Sequence, residues 1–133
     1  MSSERKSLKI LCFVNFAVAV ACAVCGVTSL LSGPSAPWGM AQAGILVVGA
    51  VLCLRATGLG IQGANTPRKA DGAKQAGIMQ VVCVGCAWLA GVLGTQLGGA
   101  PLDVPVLVVE VLGVVFGVLV TTWSGKVLEQ ARD

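Results

Sequence analysis

The sequence predicts an all-α membrane protein, with one domain over residues 1–133 folded as a bundle of four transmembrane helices. Its 133 residues are 56% hydrophobic and 11% charged, with a mean hydropathy of +0.88, whereas soluble domains are about 25% charged. Four continuous apolar stretches each approach the ~20 residues that a helix needs to cross a bilayer, and none alternates as a barrel strand does. This composition argues against a soluble enzyme or a disordered chain, and a net charge of +3 is too small to indicate nucleic-acid binding.

The four helices are predicted at about 8–31, 38–56, 76–97 and 104–123. The first stretch is longer than the 7–15 apolar residues of a signal peptide, so we expect it to be retained. Short connections that contain two and one proline respectively, 32–37 and 98–103, join the helices into two hairpins. A longer polar connection over 57–75 is predicted to be a loop between the hairpins.

Orientation follows from the basic residues. Neither hairpin connection contains Lys or Arg, and all nine basic residues precede the first helix or open it, flank the middle connection, or follow the fourth helix. The positive-inside rule therefore predicts two in-out-in hairpins in the plasma membrane, with both termini in the cytoplasm. Trp38 and Trp123 fall at the predicted membrane interfaces, where amphipathic rings accumulate.

The two hairpins resemble each other. Pro34 and Pro37 lead into the second helix as Pro101 and Pro105 lead into the fourth. One interpretation is a parallel repeat about an axis along the membrane normal, which sets Gln42 opposite Glu110 at one depth. The other is that short membrane hairpins share Gly and Pro in their turns.

Glu110 is the sharpest functional signal, because ionisable residues within membrane helices are costly and rarely face lipid. By helical rise it lies roughly 10 Å below the outer surface. Three roles are open: a neutral side chain hydrogen-bonded to Gln42 or Thr28, a carboxylate in a wet cavity that handles a cation, or a partner for a cationic group of another chain. Asn15 and Gln80, nearer the inner end, are interpreted as hydrogen-bonding residues that hold helices together.

Small residues recur at the spacing that allows close helix packing in lipid. They form Gly113-x3-Gly117 and variants of that pattern, and the candidate packing residues are Gly113, Gly117, Ala87, Gly91 and Gly94. They pack within one chain or between chains, and we expect some of these faces to meet another chain.

Basic side chains near the inner surface are candidates to contact anionic headgroups, at about 1 kcal/mol each. They are Arg55, Arg68, Lys69 and Lys74.

Two CxxC pairs, Cys22 with Cys25 and Cys83 with Cys86, have a spacing that zinc sites use. The helical rise places the two pairs about 10 Å apart in depth. We therefore expect apolar packing for the cysteines and no metal site. The alternative is a metal or redox role for Cys12, Cys53 and Cys83, which share an inner depth.

Histidine and tyrosine are absent, which removes the commonest general base and metal ligand. We expect no enzyme activity, no cofactor and no nucleic-acid partner. The sequence favours a structural or accessory membrane component that packs in the lipid bilayer with itself, as a homo-oligomer, or with other membrane subunits. The alternative is a minimal oligomeric transporter or channel for a small cation or protons that uses Glu110.

Overall fold

The computed structural model describes residues 3–31, 37–98 and 104–132, and they form four long helices. The helices are α1 (Ser3–Leu31), α2 (Pro37–Asn65), α3 (Ala70–Gly98) and α4 (Val104–Arg132). Each contains a stretch that is long and apolar enough to cross a membrane. Each has 29 residues, or about 43 Å at the helical rise, which exceeds the ~30 Å of a bilayer's hydrocarbon. The prediction of an all-helical chain with four such helices is confirmed.

The helices pack in chain order around the bundle, with α1 against α2, α2 against α3, α3 against α4 and α4 back against α1. At one end, Arg5 of α1 caps α2: its Nε donates to the carbonyl of Ala64 at 2.6 Å and its Nη2 to that of Asn65 at 2.7 Å. Gln130 of α4 donates to the Glu4 carboxylate of α1 at 2.8 Å. The first turn of α1 and the last turn of α4 therefore lie at the same end of the bundle, with the α2–α3 connection.

The predicted loop over 57–75 is wrong in extent, because most of it is helix. Only Thr66 and a 3-10 turn over Pro67–Lys69 separate α2 from α3. The prediction followed the fall in hydropathy and the density of glycine, but packing outweighs both. Gly60 lies where any Cβ would overlap the sulfur of Cys12, and a Cβ on Gly63 would lie 2.9 Å from the Cα of Ala70. These glycines let α2 continue at close range to α1 and α3.

α1, α3 and α4 also extend beyond their predicted bounds, by five or more residues at the end where the termini meet. Polar and charged residues there belong to helix that projects past the apolar segment. Hydropathy marks where a helix leaves lipid, and it does not mark where the helix ends.

The interior is filled mostly by small and medium side chains, while many large apolar side chains face outwards. One core cluster at the end that holds the termini includes Leu8, Ala64 and Val127, all fully buried. Phe13 and Leu31, in contrast, are 59% and 83% exposed. Such an apolar exterior suits contact with lipid chains or with other helices.

Candidate functional site

Glu110 of α4 is buried, with 1% of its surface exposed, and it contacts an amide on α2. The Nε2 of Gln42 donates to the Oε1 of Glu110 at 2.7 Å. The hydrogen bond links two helices that face each other across the bundle. Thr28 is not part of this contact, because it is exposed and its hydroxyl donates to the carbonyl of Val24 on its own helix. The structure thus brings together two of the three residues that the sequence proposed for this site.

Gly91 of α3 makes room for that contact. A Cβ added there would overlap the side-chain amide of Gln42. Gly91 is therefore a neighbour of the polar pair as well as a packing residue. Any side chain at this position would require the Gln42 amide to move.

Beside Glu110, a groove of about 320 Å³ runs between α3 and α4. Its mouth is on the outer surface of the bundle, since Trp88 and Val111 are 42% and 50% exposed. A Cβ on Gly85 would meet nothing within 4 Å, so this glycine leaves the groove open. The lining residues are Val81, Gly85, Trp88, Glu110, Val111, Val114 and Val115. Glu110 is 1% exposed, so the surface of the groove is almost entirely apolar.

A second buried polar cluster, which we call the amide cluster, joins all four helices through Asn15, Thr57, Gln80 and two backbone carbonyls. Asn15 and Gln80 pair reciprocally: Asn15 Nδ2 donates to Gln80 Oε1 at 3.1 Å, and Gln80 Nε2 donates to Asn15 Oδ1 at 3.0 Å. Asn15 also reaches the Thr57 hydroxyl and the Cys53 carbonyl, both at 3.2 Å. Gln80 also donates to the Gly113 carbonyl of α4 at 2.8 Å.

Sequence reasoning assigned Asn15 and Gln80 to helix association but did not identify them as partners. Thr57 was missed because it fell in the predicted loop. One signal was available, since Lys9 to Asn15 and Lys74 to Gln80 both span six positions. If both lysines mark the same membrane surface, the two amides lie at the same depth.

The predicted packing residues on α4 are used within the chain. A Cβ on Gly117 would lie 2.6 Å from the Cγ2 of Val81 and 3.3 Å from the carbonyl oxygen of Gly77, both on α3. Gly113 lies against Val84 in the same way, at 3.0 Å. Because this ridge contacts α3, it is not available to another chain.

The remaining small residues named from sequence lie on α3 and face inwards. Ala87 is fully buried and belongs to a core cluster with residues of α1, α2 and α4. Gly94 is also buried. Close packing of the four helices therefore accounts for both residues within one copy of the chain.

Of the headgroup-facing candidates, Arg68, Lys69 and Lys74 are exposed at the end that holds the termini. Arg55 is exposed on α2, where it donates to the Met79 sulfur at 3.7 Å. It lies eighteen positions after Pro37, or about 27 Å along the helix. That distance is close to the thickness of the hydrocarbon.

Of the two tryptophans placed at the interfaces, Trp123 lies beneath a basic side chain, with the Lys126 ammonium 4.1 Å from the centroid of its ring. Such cation–π contacts suit the interface, where the ring remains apolar and the ammonium reaches water. The side chain of Trp38 lies outside the described residues.

All six cysteines are free thiols, and Cys86 is exposed while Cys12, Cys22 and Cys53 are buried. Across residues 3–31, 37–98 and 104–132, no group of three or more His, Cys, Asp or Glu side chains could hold a metal ion. The buried thiols lie in the apolar core beside alanine, valine and leucine.

No protein-family model, curated protein or solved structure matches this chain. The function proposed below therefore rests on the geometry of the buried polar residues and of the bundle surface.

Proposed function

We propose that this chain is a structural or accessory component of the plasma membrane, which packs with itself or with a larger membrane complex and catalyses no reaction. The main support for the proposal is that buried polar side chains form hydrogen bonds with one another from different helices. Asn15 pairs with Gln80, and Gln42 pairs with Glu110. Polar residues in this arrangement hold membrane helices together.

The amide cluster supports this role because it contains no ionisable side chain. Its members are two side-chain amides, one hydroxyl and two backbone carbonyls. Together they come from all four helices. Each amide hydrogen bond between membrane helices contributes about 0.6 kcal/mol on average and up to about 1.7 kcal/mol. Several bonds at one point favour one arrangement of the four helices over rotated alternatives.

The outer surface supports association with other helices. Gly44 and Gly58 lie on α2, and a Cβ on either would meet nothing within 4 Å. Val51, midway between them, is 60% exposed. Positions seven apart share a helix face, so this face offers small residues to a neighbouring helix, whereas Gly113 and Gly117 face α3.

The proposed orientation places both termini in the cytoplasm. Its support is the gathering of the first turn of α1, the last turn of α4 and the α2–α3 connection at one end. Exposed basic side chains also occur there, including Arg68, Lys69 and Lys74. The positive-inside rule assigns such an end to the cytoplasm.

A second candidate function is a minimal oligomeric transporter or channel for a small cation or protons. Its support is Glu110, an ionisable residue within a membrane-spanning helix and beside a groove that opens on the outer surface of the bundle. The hydrogen bond from Gln42 favours the structural role, because it fixes this carboxyl group within the bundle. Cation flux in liposomes distinguishes the two functions.

The structural proposal is tested by chemical cross-linking in native membranes, with Gly44→Leu, Gly58→Leu and the double variant. We expect wild type to give a discrete product above the 13.4 kDa of one chain, and we expect the double variant to lose it. Helicity should be retained, because a Cβ at either position meets nothing within 4 Å. Wild type that remains monomeric in its own membrane would contradict the proposal.

A further inference from the structure

The groove between α3 and α4 continues as a strip of surface towards the end of the bundle that holds the termini. Residues spaced alternately three and four apart share one face of a helix. On α3 that face carries Asp71, Lys74, Ile78, Val81, Gly85 and Trp88. On α4 it carries Val111, Val115, Val118, Thr122, Gly125 and Glu129. All of these residues are exposed or partly exposed, so the two faces form one open strip, which we call the α3–α4 strip.

Charged side chains lie on the α3–α4 strip in a fixed order beyond the groove. The reference point is Gly77 of α3, where a Cβ would overlap the hydroxyl of Thr121 on α4. Lys74, Asp71 and Glu129 lie three, six and eight residues beyond this contact, or about 4, 9 and 12 Å towards the end that holds the termini. All three are exposed. The strip therefore presents one basic side chain first and then two acidic ones.

The length of the strip matches one leaflet of a bilayer. Lys74 and Gly85 are eleven positions apart, or about 16 Å along the helix, and half of the ~30 Å hydrocarbon is about 15 Å. A Cβ on Gly85 would meet nothing within 4 Å, so the groove of about 320 Å³ has open space at that depth. Its surface is almost entirely apolar, which suits a hydrocarbon chain.

We propose that the α3–α4 strip binds phosphatidylethanolamine, with one acyl chain in the groove at Gly85 and the phosphate against the Lys74 ammonium. The ammonium of the lipid then contacts the carboxylates of Asp71 and Glu129, so the charges of the headgroup and the strip are complementary. A primary ammonium donates three hydrogen bonds, whereas the quaternary amine of phosphatidylcholine donates none and phosphatidylglycerol has no positive charge. This binding goes beyond the structural role and does not depend on oligomerisation.

The test compares three lipids with identical oleoyl chains: phosphatidylethanolamine, phosphatidylcholine and phosphatidylglycerol. Each is titrated into the protein in dodecylmaltoside micelles, and bound lipid is counted by mass spectrometry of the intact protein. We expect one phosphatidylethanolamine per chain, bound at least about fivefold tighter than either of the other lipids, because only its headgroup pairs with both signs of charge. Equal binding of the three lipids, or tighter binding of phosphatidylglycerol, overturns the proposal.

Variants of the charged residues locate the headgroup. The double variant Asp71→Asn, Glu129→Gln should reduce phosphatidylethanolamine binding to the level of phosphatidylcholine without weakening phosphatidylglycerol. Lys74→Gln should weaken both phosphatidylethanolamine and phosphatidylglycerol. Arg55→Gln is the matched control, because it removes an exposed basic side chain from α2, outside the strip, and it should bind as wild type does. Wild-type lipid selectivity in the double variant would overturn the proposal.

A variant of the groove locates the acyl chain. Gly85→Leu should weaken binding of all three lipids at least about fivefold, because its side chain extends into the space that the acyl chain occupies. Gly58→Leu is the control on α2, where a Cβ also meets nothing within 4 Å, and it should leave binding unchanged. Wild-type binding by Gly85→Leu would show that the groove does not hold the lipid.

Discussion

Replacing the reciprocal amide pair tests whether the buried polar residues hold the bundle together. Asn15→Leu removes four hydrogen bonds of the amide cluster, at 3.0 to 3.2 Å. The Thr57 hydroxyl and the Cys53 carbonyl, which both contact Asn15 in the wild type, remain hydrogen-bonded to each other at 2.9 Å. Gln80 keeps its bond to Gly113 but loses Asn15 as the donor to its Oε1.

The magnitude follows from that inventory. Leaving one buried acceptor without its partner costs about 1–3 kcal/mol, so Asn15→Leu should lower the free energy of unfolding by that amount. Gln80→Leu should cost a similar amount. The two mutual bonds between Asn15 and Gln80, at about 0.6 kcal/mol on average and at most about 1.7 kcal/mol each, give a coupling of about 1–2 kcal/mol. The double variant should therefore lose less free energy of unfolding than the two single variants lose together, and the difference should equal that coupling.

The assay is a double-mutant cycle on reversible unfolding, from mixed dodecylmaltoside and SDS micelles, followed by circular dichroism. Gln75→Leu is the matched control, because Gln75 is exposed on α3, the helix that carries Gln80. Its side chain donates a 3.4 Å hydrogen bond to Asp71 of the same helix. It should change stability by less than about 0.5 kcal/mol. A coupling near zero, or an equal loss in Gln75→Leu, would refute the reasoning.

Three further predictions follow from packing, thiol chemistry and charge. Gly117→Leu should lose about 1–3 kcal/mol of stability through overpacking against Val81, whereas Gly72→Leu, whose Cβ would lie 3.8 Å from the nearest atom, should behave as wild type in the same unfolding assay. A variant with alanine or serine at all six cysteines should still fold and assemble, and stoichiometric zinc in the wild type by elemental analysis would contradict this. In that cysteine-free background, Lys69→Cys should react with a membrane-impermeant maleimide only from the cytoplasmic side, and labelling from outside would reverse the proposed orientation.

The number and type of the helices were predictable because lipid leaves the backbone few choices. A continuous apolar run of ~20 residues satisfies its hydrogen bonds only as a helix, and four such runs were visible. Where the helices end was not predictable from hydropathy. In the sequence alone, Gly60 and Gly63 favour the end of a helix. In the folded bundle they instead allow α2 to approach Cys12 and Ala70, a contact that hydropathy does not reveal.

The polar sites were predictable in part. The hairpin alignment set Gln42 opposite Glu110, and the structure joins them. It could not exclude Thr28, because a threonine in a helix can bond to its own preceding turn, as this one does. The groove was also invisible in sequence, because it depends on which faces of α3 and α4 remain apart. A Cβ on Gly85 meets nothing within 4 Å, whereas one on Gly113 lies 3.0 Å from Val84, and this difference arises only in the folded bundle.

The central claim is that Glu110 serves the structure of the bundle, and Glu110→Gln tests it most directly. Thermal stability and pH-dependent cation or proton flux are measured on the same proteoliposomes, with Glu110→Ala as the comparison that removes the acceptor for Gln42. A structural role predicts no flux in wild type, near-wild-type stability in Glu110→Gln, and a loss of about 1–3 kcal/mol in Glu110→Ala. A wild-type flux that Glu110→Gln abolishes without loss of stability would contradict the claim and favour transport.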